Sequence, residues 1–179
     1  MFRFSSIGDI IQLTSPLQTL RDQFPNARID IITLDEYAEI LIGHSFVNRI
    51  IQISRNYRYS QLKNIGKKIA LRKYDLIIDL HNVIRSKIIL KHIKGSKKIV
   101  YKKPRWKRFK LVEFKRNDFE DNFSQRWLYH QCLDKILNNQ YEIPDNKLEI
   151  KGSEQSETRL LLDQYGVDGS FVTIIPGAK

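Results

Sequence analysis

With 179 residues, 41% hydrophobic and 28% charged, the chain has an ordinary globular make-up and the length for one sizeable domain or slightly more. A single cysteine excludes an internal disulfide, and no apolar run approaches the ~20 residues of a membrane span. The net charge of +11 is local: residues 91–116 hold twelve Lys/Arg against one acid, Glu113, and the rest is neutral.

In chain order, short β-type runs alternate with helical patterns. Phe2 to Phe4 suit a truncated first strand. Beyond them Ile10, Leu13, Leu17, Leu20 and Phe24 step by three and four, the spacing of one helix face. Pro16 interrupts that pattern, either as a kink or as the first residue of a fresh helix capped by Ser15. ARIDIITL (27–34) reads as a strand, DEYAEILIG (35–43) as a short helix ended by Gly43, and VNRIIQI (47–53) as another strand. YSQLKNIGKKIALRK (59–73) is a helix with a weak spot at Gly66. YDLIIDL (74–80) is the clearest buried strand. VIRSKIILKHIKG (83–95) follows as a helix, KKIVYKK (97–103) as a strand, and NFSQRWLYHQCLDKILN (122–138) as a strong helix. Within that helix Cys132 lies among Leu128, Leu133 and Ile136 and reads as a small buried hydrophobe. EIPDNKLEIKG (142–152) is a connector. Ser153 then caps a last helix with Glu154 and Glu157 in its first turn, and FVTIIPGAK (171–179) is a strand running into a turn.

This alternation predicts an α/β fold with an open, mostly parallel sheet covered by helices. In such sheets ligands collect beyond the carboxyl ends of the strands. Three loops fall there: SSIGD after the first strand, HNVIRS after YDLIIDL, and the basic run after KKIVYKK. Their convergence requires that all three lie on one edge.

Asp9 has two readings. An acid in a first helical turn caps free N–H groups and suits the helix dipole. At the end of a polar loop it can instead accept a proton from a substrate hydroxyl. Gly8 permits a tight turn and close approach of a ligand, and Ser6 supplies a hydroxyl. GxGxxG, the P-loop pattern and D-x-D are all absent, and the histidines lack metal-ligand spacing, so no bound metal is expected. Asp79 and Asn82 fit a strand-end turn, whereas His81 and Arg85 suit sugar hydroxyls or a phosphate. In KKIVYKKPRWKRFK (97–110), Tyr101, Trp106 and Phe109 are interleaved with cations. That mixture suits single-stranded nucleic acid, an anionic membrane surface, or a solvated loop.

The motifs carry a family resemblance. RFSSIGDIIQLTSPLQTLRDQFPNARIDIIT resembles the opening of the heptosyltransferase family of glycosyltransferases, family nine. The matching steps are Ser5-Ser6-Ile7-Gly8-Asp9, Thr14-Ser15-Pro16 and Phe24-Pro25-Asn26-Ala27-Arg28-Ile29-Asp30. YDLIIDLHNVIRS resembles a second landmark of that family, and VTIIPGAK the strand and turn that open its second domain. The resemblance implies a Rossmann-like sheet with helices on both faces, forming the N-terminal half of a GT-B glycosyltransferase. Residues 1–150 would be the acceptor-side domain, and 151–179 a linker helix and the first strand of the donor-binding domain.

It further implies inverting, metal-independent transfer of a sugar to an acceptor of lipopolysaccharide-core type. The donor would be a nucleotide sugar such as ADP-heptose, used as co-substrate without a further cofactor. Asp9 takes the family's role of general base. Ser6, Gly8, His81, Asn82 and Arg85 would line the acceptor pocket, and Lys102, Lys103, Arg105 and Arg108 would meet acceptor phosphates or lipid headgroups. No signal-peptide pattern opens the chain, so a cytoplasmic location, peripheral at the inner face of the inner membrane, is expected. The donor half is expected beyond Lys179, so residues 1–179 alone are expected to be inactive. The alternative is a nucleic-acid-binding α/β module using residues 91–116.

Overall fold

The structure is a computed structural model and describes residues 1–121, 123–137, 141–150 and 152–171. The expected strand and turn over 172–179 lie outside these residues. Two units are present, Met1–Leu148 and Glu149–Lys179. The first holds strands β1 (Asp30–Leu34), β2 (Arg49–Ile53), β3 (Leu76–Asp79) and β4 (Lys97–Val100). Its helices are α1 (Ile7–Gln12), α2 (Thr14–Gln23), α3 (Tyr59–Ala70), α4 (Ile84–Lys91), α5 (Arg105–Phe114) and α6 (Gln125–Leu133). A 3₁₀ helix spans Asp35–Leu41, and the second unit contributes α7 (Gly152–Gln164). Among the described residues no helix is long and apolar enough to cross a membrane.

β1 pairs with β2 and β3 with β4, both in parallel. The extended N-terminal segment, residues 1–4, joins the two pairs, because Phe2 bridges Ile32 on one side and Asp79 on the other. Phe2 N donates to Ile78 O (2.8 Å), while Arg3 N donates to Ile32 O (3.0 Å). The order across the sheet is therefore β2, β1, N-terminal segment, β3, β4. This is a doubly wound arrangement whose order reverses beside the N-terminal segment.

Strand side chains leave alternately on two faces. Ile31, Ile78, Leu80 and Ile99 pack on one side with Ile10, Leu13, Leu17 and Leu20, and with Leu128, Tyr129 and Leu133 from α6. Phe2, Phe4, Ile32, Leu34 and Ile77 pack on the other with Leu62 and Ile69 of α3 and Ile89 and Leu90 of α4. Both faces of the sheet are thus covered, as expected. Cys132 is buried in the first layer, and burial pushes its thiol up to about 11.

Several local expectations are corrected. Pro16 is neither a kink nor a first residue: a break at Leu13 separates α1 from α2, and Pro16 is the third residue of α2. Proline is tolerated there because first-turn N–H groups have no intrahelical partner. Ser15 is not the cap; its buried hydroxyl donates to Pro144 O. Ser153 lies inside the first turn of α7 rather than at its cap. Ser124 does cap α6, accepting from Trp127 N at 3.0 Å.

Gly66 is not a weak spot but a contact. A Cβ placed on it would meet Ile89 O at 2.6 Å and the His92 Cβ at 2.9 Å, so α3 and α4 cross where only hydrogen fits. Gly66→Ala is expected to destabilise the fold by about 1–3 kcal/mol through overpacking, against the gain of up to ~1 kcal/mol that helix propensity alone would give. Urea unfolding reads the sign. A stabilised variant would show that the two helices separate freely.

Candidate functional site

The site is built where the strand order reverses. Because the strands are parallel, the loops after the N-terminal segment, β3 and β4 leave from the same edge. Hydrogen bonds tie them together. Phe4 N donates to His81 Nδ1 (3.1 Å), Arg3 Nη1 to Leu80 O (2.8 Å), and Asn82 Nδ2 to Tyr101 O (2.9 Å).

Asp9 occupies the third position of α1. Its Oδ2 accepts from the Ser6 amide and the Ser6 hydroxyl, each at 3.2 Å, and pairs with Arg3 Nη2. Its Oδ1 accepts from the Tyr129 hydroxyl at 3.2 Å. Burial alone would raise the carboxyl's pKa, but the Arg3 charge and the Ser6 hydrogen bonds outweigh it and hold the group below its ordinary value. The capping and proton-accepting readings therefore use different oxygens. Oδ2 closes the helix start and holds Arg3, while Oδ1 keeps lone-pair capacity beside a single phenol.

Gly8 is the second residue of α1, with no left-handed φ and no turn to make. A Cβ there would meet nothing within 4 Å, so the position offers open approach rather than backbone freedom.

After β3, Asp79 is fully buried. Its Oδ1 accepts from the amides of His81 and Asn82, both at 2.9 Å, and holds Asn82 at a φ of 49°. Asp79 Oδ2 is buried without a hydrogen-bond partner. These contacts fix the turn that presents His81. Burial, then the charges of Arg3 and Lys103, push His81 down to about 4. Accepting at Nδ1 leaves the proton on Nε2, so the ring is a neutral donor at pH 7.

Nitrogen NMR is expected to show His81 remaining neutral until about pH 4. The unfolded ring takes its proton near 6.5, so His81 contributes a loss of stability as pH falls from that value towards 4. A titration near 6.5 in the folded protein would contradict this environment.

The predicted cations divide. Lys103 is half-buried within the fields of Arg3, Arg105 and Asp79, and burial first, then the neighbouring guanidinium groups, lowers its pKa. Arg105 lines a cleft of about 640 Å³ with Phe4, His81, Asn82 and Arg85. Arg85 is anchored there, donating to Arg55 O and, at 3.5 Å, to Ser54 O in the loop after β2. Arg108 turns away to Gln125 Oε1 (3.1 Å), and Lys102 is exposed. The basic run is not a loop throughout, since residues 105–114 form helix α5.

Sequence reasoning missed Arg3 and Tyr129, the two partners of Asp9 that come from the sheet centre and from α6. No spacing rule links positions 3, 9 and 129. It also missed Arg55 and Lys87 on the cleft wall. A larger cavity of about 740 Å³ opens at the opposite ends of the strands, beside Asp30, Tyr74 and Leu76, and contains none of the predicted residues.

No family model matches the sequence, and no curated protein matches it. Solved structures match the fold, and those matched are a glycosyl transferase of family 9 and heptosyltransferases. The glycosyl transferase family 9 from Veillonella parvula superposes with a TM-score of 0.72 at 17% identity, over 93% of this chain and 49% of that one. E. coli heptosyltransferase WaaC with ADP gives 0.57 at 18% identity, over 83% of this chain and 48% of that one. E. coli ADP-heptose lps heptosyltransferase II gives 0.59 at 15% identity, over 93% and 50%. At these identities the likeness is one of fold. The chain spans about half the length of the structures it matches.

Proposed function

We propose that this chain is the acceptor-side half of a glycosyltransferase that moves a sugar from a nucleotide-sugar donor to an acidic glycolipid of lipopolysaccharide-core type. The observation that supports it most is Asp9: an ionised carboxylate with one lightly occupied oxygen, set at the reversal point of a sheet whose fold is shared with family nine enzymes. The acceptor hydroxyl gives its proton to Asp9 as its oxygen bonds the anomeric carbon. The bond from that carbon to the nucleoside diphosphate breaks, and configuration inverts. No protein-bound metal takes part in this reading.

His81 Nε2–H and Asn82 orient the acceptor, with Ser6 and the open approach at Gly8 beside Asp9. Arg85, Arg105 and Lys103 receive its anionic groups, joined by Arg108 and Lys102 at the periphery. Residues 1–150 act as the acceptor domain, and 151–179 lead into a donor-binding domain. The protein works at the cytoplasmic face of the inner membrane, where such acceptors are exposed. The donor, ADP-heptose or a related nucleotide sugar, is held by the other half.

The test is transfer of labelled sugar from ADP-heptose to a truncated lipopolysaccharide acceptor, run with residues 1–179 alone and with the chain joined to a donor-binding half. Transfer only by the joined protein supports the reading. Robust transfer by residues 1–179 would overturn the division of labour.

A further inference from the structure

Helix α5 has no buried residue, and Trp106, Val112 and Phe114 are 73%, 63% and 69% exposed. Its inward side is defined by three contacts. Lys107 Nζ lies 5.9 Å from the Phe119 ring centroid, Arg108 bonds Gln125, and Lys110 pairs with Asp118 at 2.9 Å. Residues 106, 109 and 112 follow each other by three and therefore share the opposite side. Trp106 packs edge-to-face on Phe109 (5.5 Å), and Phe109 on Phe114 (5.8 Å), giving one continuous aromatic ridge. Lys115 flanks it at the helix end and Arg105, which also borders the cleft, at the helix start, while Arg116 is paired with Asp118 at 2.7 Å; all lie within the segment that carries the chain's whole excess of positive charge.

We propose that α5 is an interfacial anchor, lying flat on an anionic lipid surface with Trp106, Phe109 and Val112 seated at headgroup level and the Phe114 ring joining them from the helix end through its contact with Phe109. This deepens one point of the proposed function, the contact with the membrane, and its test needs no sugar transfer. An amphipathic segment combining an aromatic ridge with flanking cations is held by apolar burial and by attraction to acidic headgroups together. Each component alone is weak, so both are required. Glu113 is the one acid in the segment and subtracts from that attraction.

Nucleic acid fits less well. Successive bases stack on parallel, separated faces, whereas Trp106 and Phe109 stand edge-to-face at 84° and offer no parallel pair, and Val112 offers a base nothing to stack on.

Trp106 and Trp127 are the only tryptophans, so Trp127→Phe leaves Trp106 as a sole reporter. This variant is titrated with phosphatidylcholine vesicles, with and without phosphatidylglycerol, and with a single-stranded oligonucleotide. The expected result is a blue shift of Trp106 and quenching by bromine-labelled acyl chains, only where phosphatidylglycerol is present. Two variants follow by co-sedimentation: Phe109→Ser with Phe114→Ser, and Lys115→Glu, at a position outside the cleft. Each is expected to lower vesicle affinity about tenfold or more with an unchanged circular dichroism spectrum.

Absence of vesicle binding would overturn the anchor, as would binding without quenching or binding that survives both variants. Preferential binding to the oligonucleotide with Trp106 quenched would replace it by the nucleic-acid reading. Vesicle binding without sugar transfer in the joined protein would keep the anchor and reject the proposed activity.

Discussion

On the proposed function, Asp9→Asn in the chain joined to a donor-binding domain is expected to lower turnover by about 10²–10⁴-fold, the range for loss of a positioned general base. The amide keeps the size of the carboxyl and an oxygen for Ser6 and Arg3, so the fold should persist by circular dichroism. Acceptor KM should move little, because Asp9 acts on the proton rather than on the body of the ligand. Near-normal turnover would return Asp9 to a capping role alone.

The pH dependence sharpens the test. Arg3 and the Ser6 groups hold the Asp9 carboxyl below its usual range, so the acid limb of the rate should lie below the ordinary carboxylate pKa of about 4. The same shift stabilises the fold. Its contribution is present above the unfolded pKa and is lost as pH falls through the lower folded value. An acid limb near pH 6 would point to a different base.

The second large effect is on stability. Arg3 is 7% exposed and makes three contacts: the ion pair with Asp9, the hydrogen bond to Leu80 O, and a guanidinium 5.6 Å from the Tyr129 ring centroid. Arg3→Met keeps an unbranched apolar stem but leaves a partly buried carboxylate without its cation. A loss of about 3 kcal/mol is expected, at the low end for a broken buried pair because Asp9 retains some solvent. Guanidinium unfolding measures it. Carbon NMR of the Asp9 carboxyl should also show its pKa rising, since burial is then unopposed by Arg3. An unchanged midpoint and titration would show that the pair is ornamental.

These two residues also show where sequence reasoning reached and where it stopped. Asp9 was legible as a candidate because its motif is local, a polar loop, a glycine and an acid at a helix start, and the family resemblance, not the motif, favoured base over cap. The sheet was legible because YDLIIDL and ARIDIITL are apolar runs that only a covered strand explains. Arg3 and Tyr129 lie in a truncated strand and in a strong helix, elements whose patterns single out neither residue. Their meeting at Asp9 depends on the strand order, which periodicity does not encode. Gly66 failed differently. Propensity is a property of one helix, whereas the demand for glycine comes from the neighbouring α4. In α5, dense charge masked a spacing of three among Trp106, Phe109 and Val112.

The central place of the N-terminal segment has a consequence for biosynthesis. Residues 1–4 are made before both strands that flank them, and one of their two backbone edges is completed only by residues 78–80. At about 5–20 residues per second, that edge waits roughly 2–9 seconds after the first has found β1. Throughout that interval the nascent chain carries an open strand edge, and neither Arg3 nor Phe4 has its partner in the loop after β3. The cleft therefore forms only after β3 has docked on the N-terminal segment, and a ligand bound there reports a sheet that has closed at its middle.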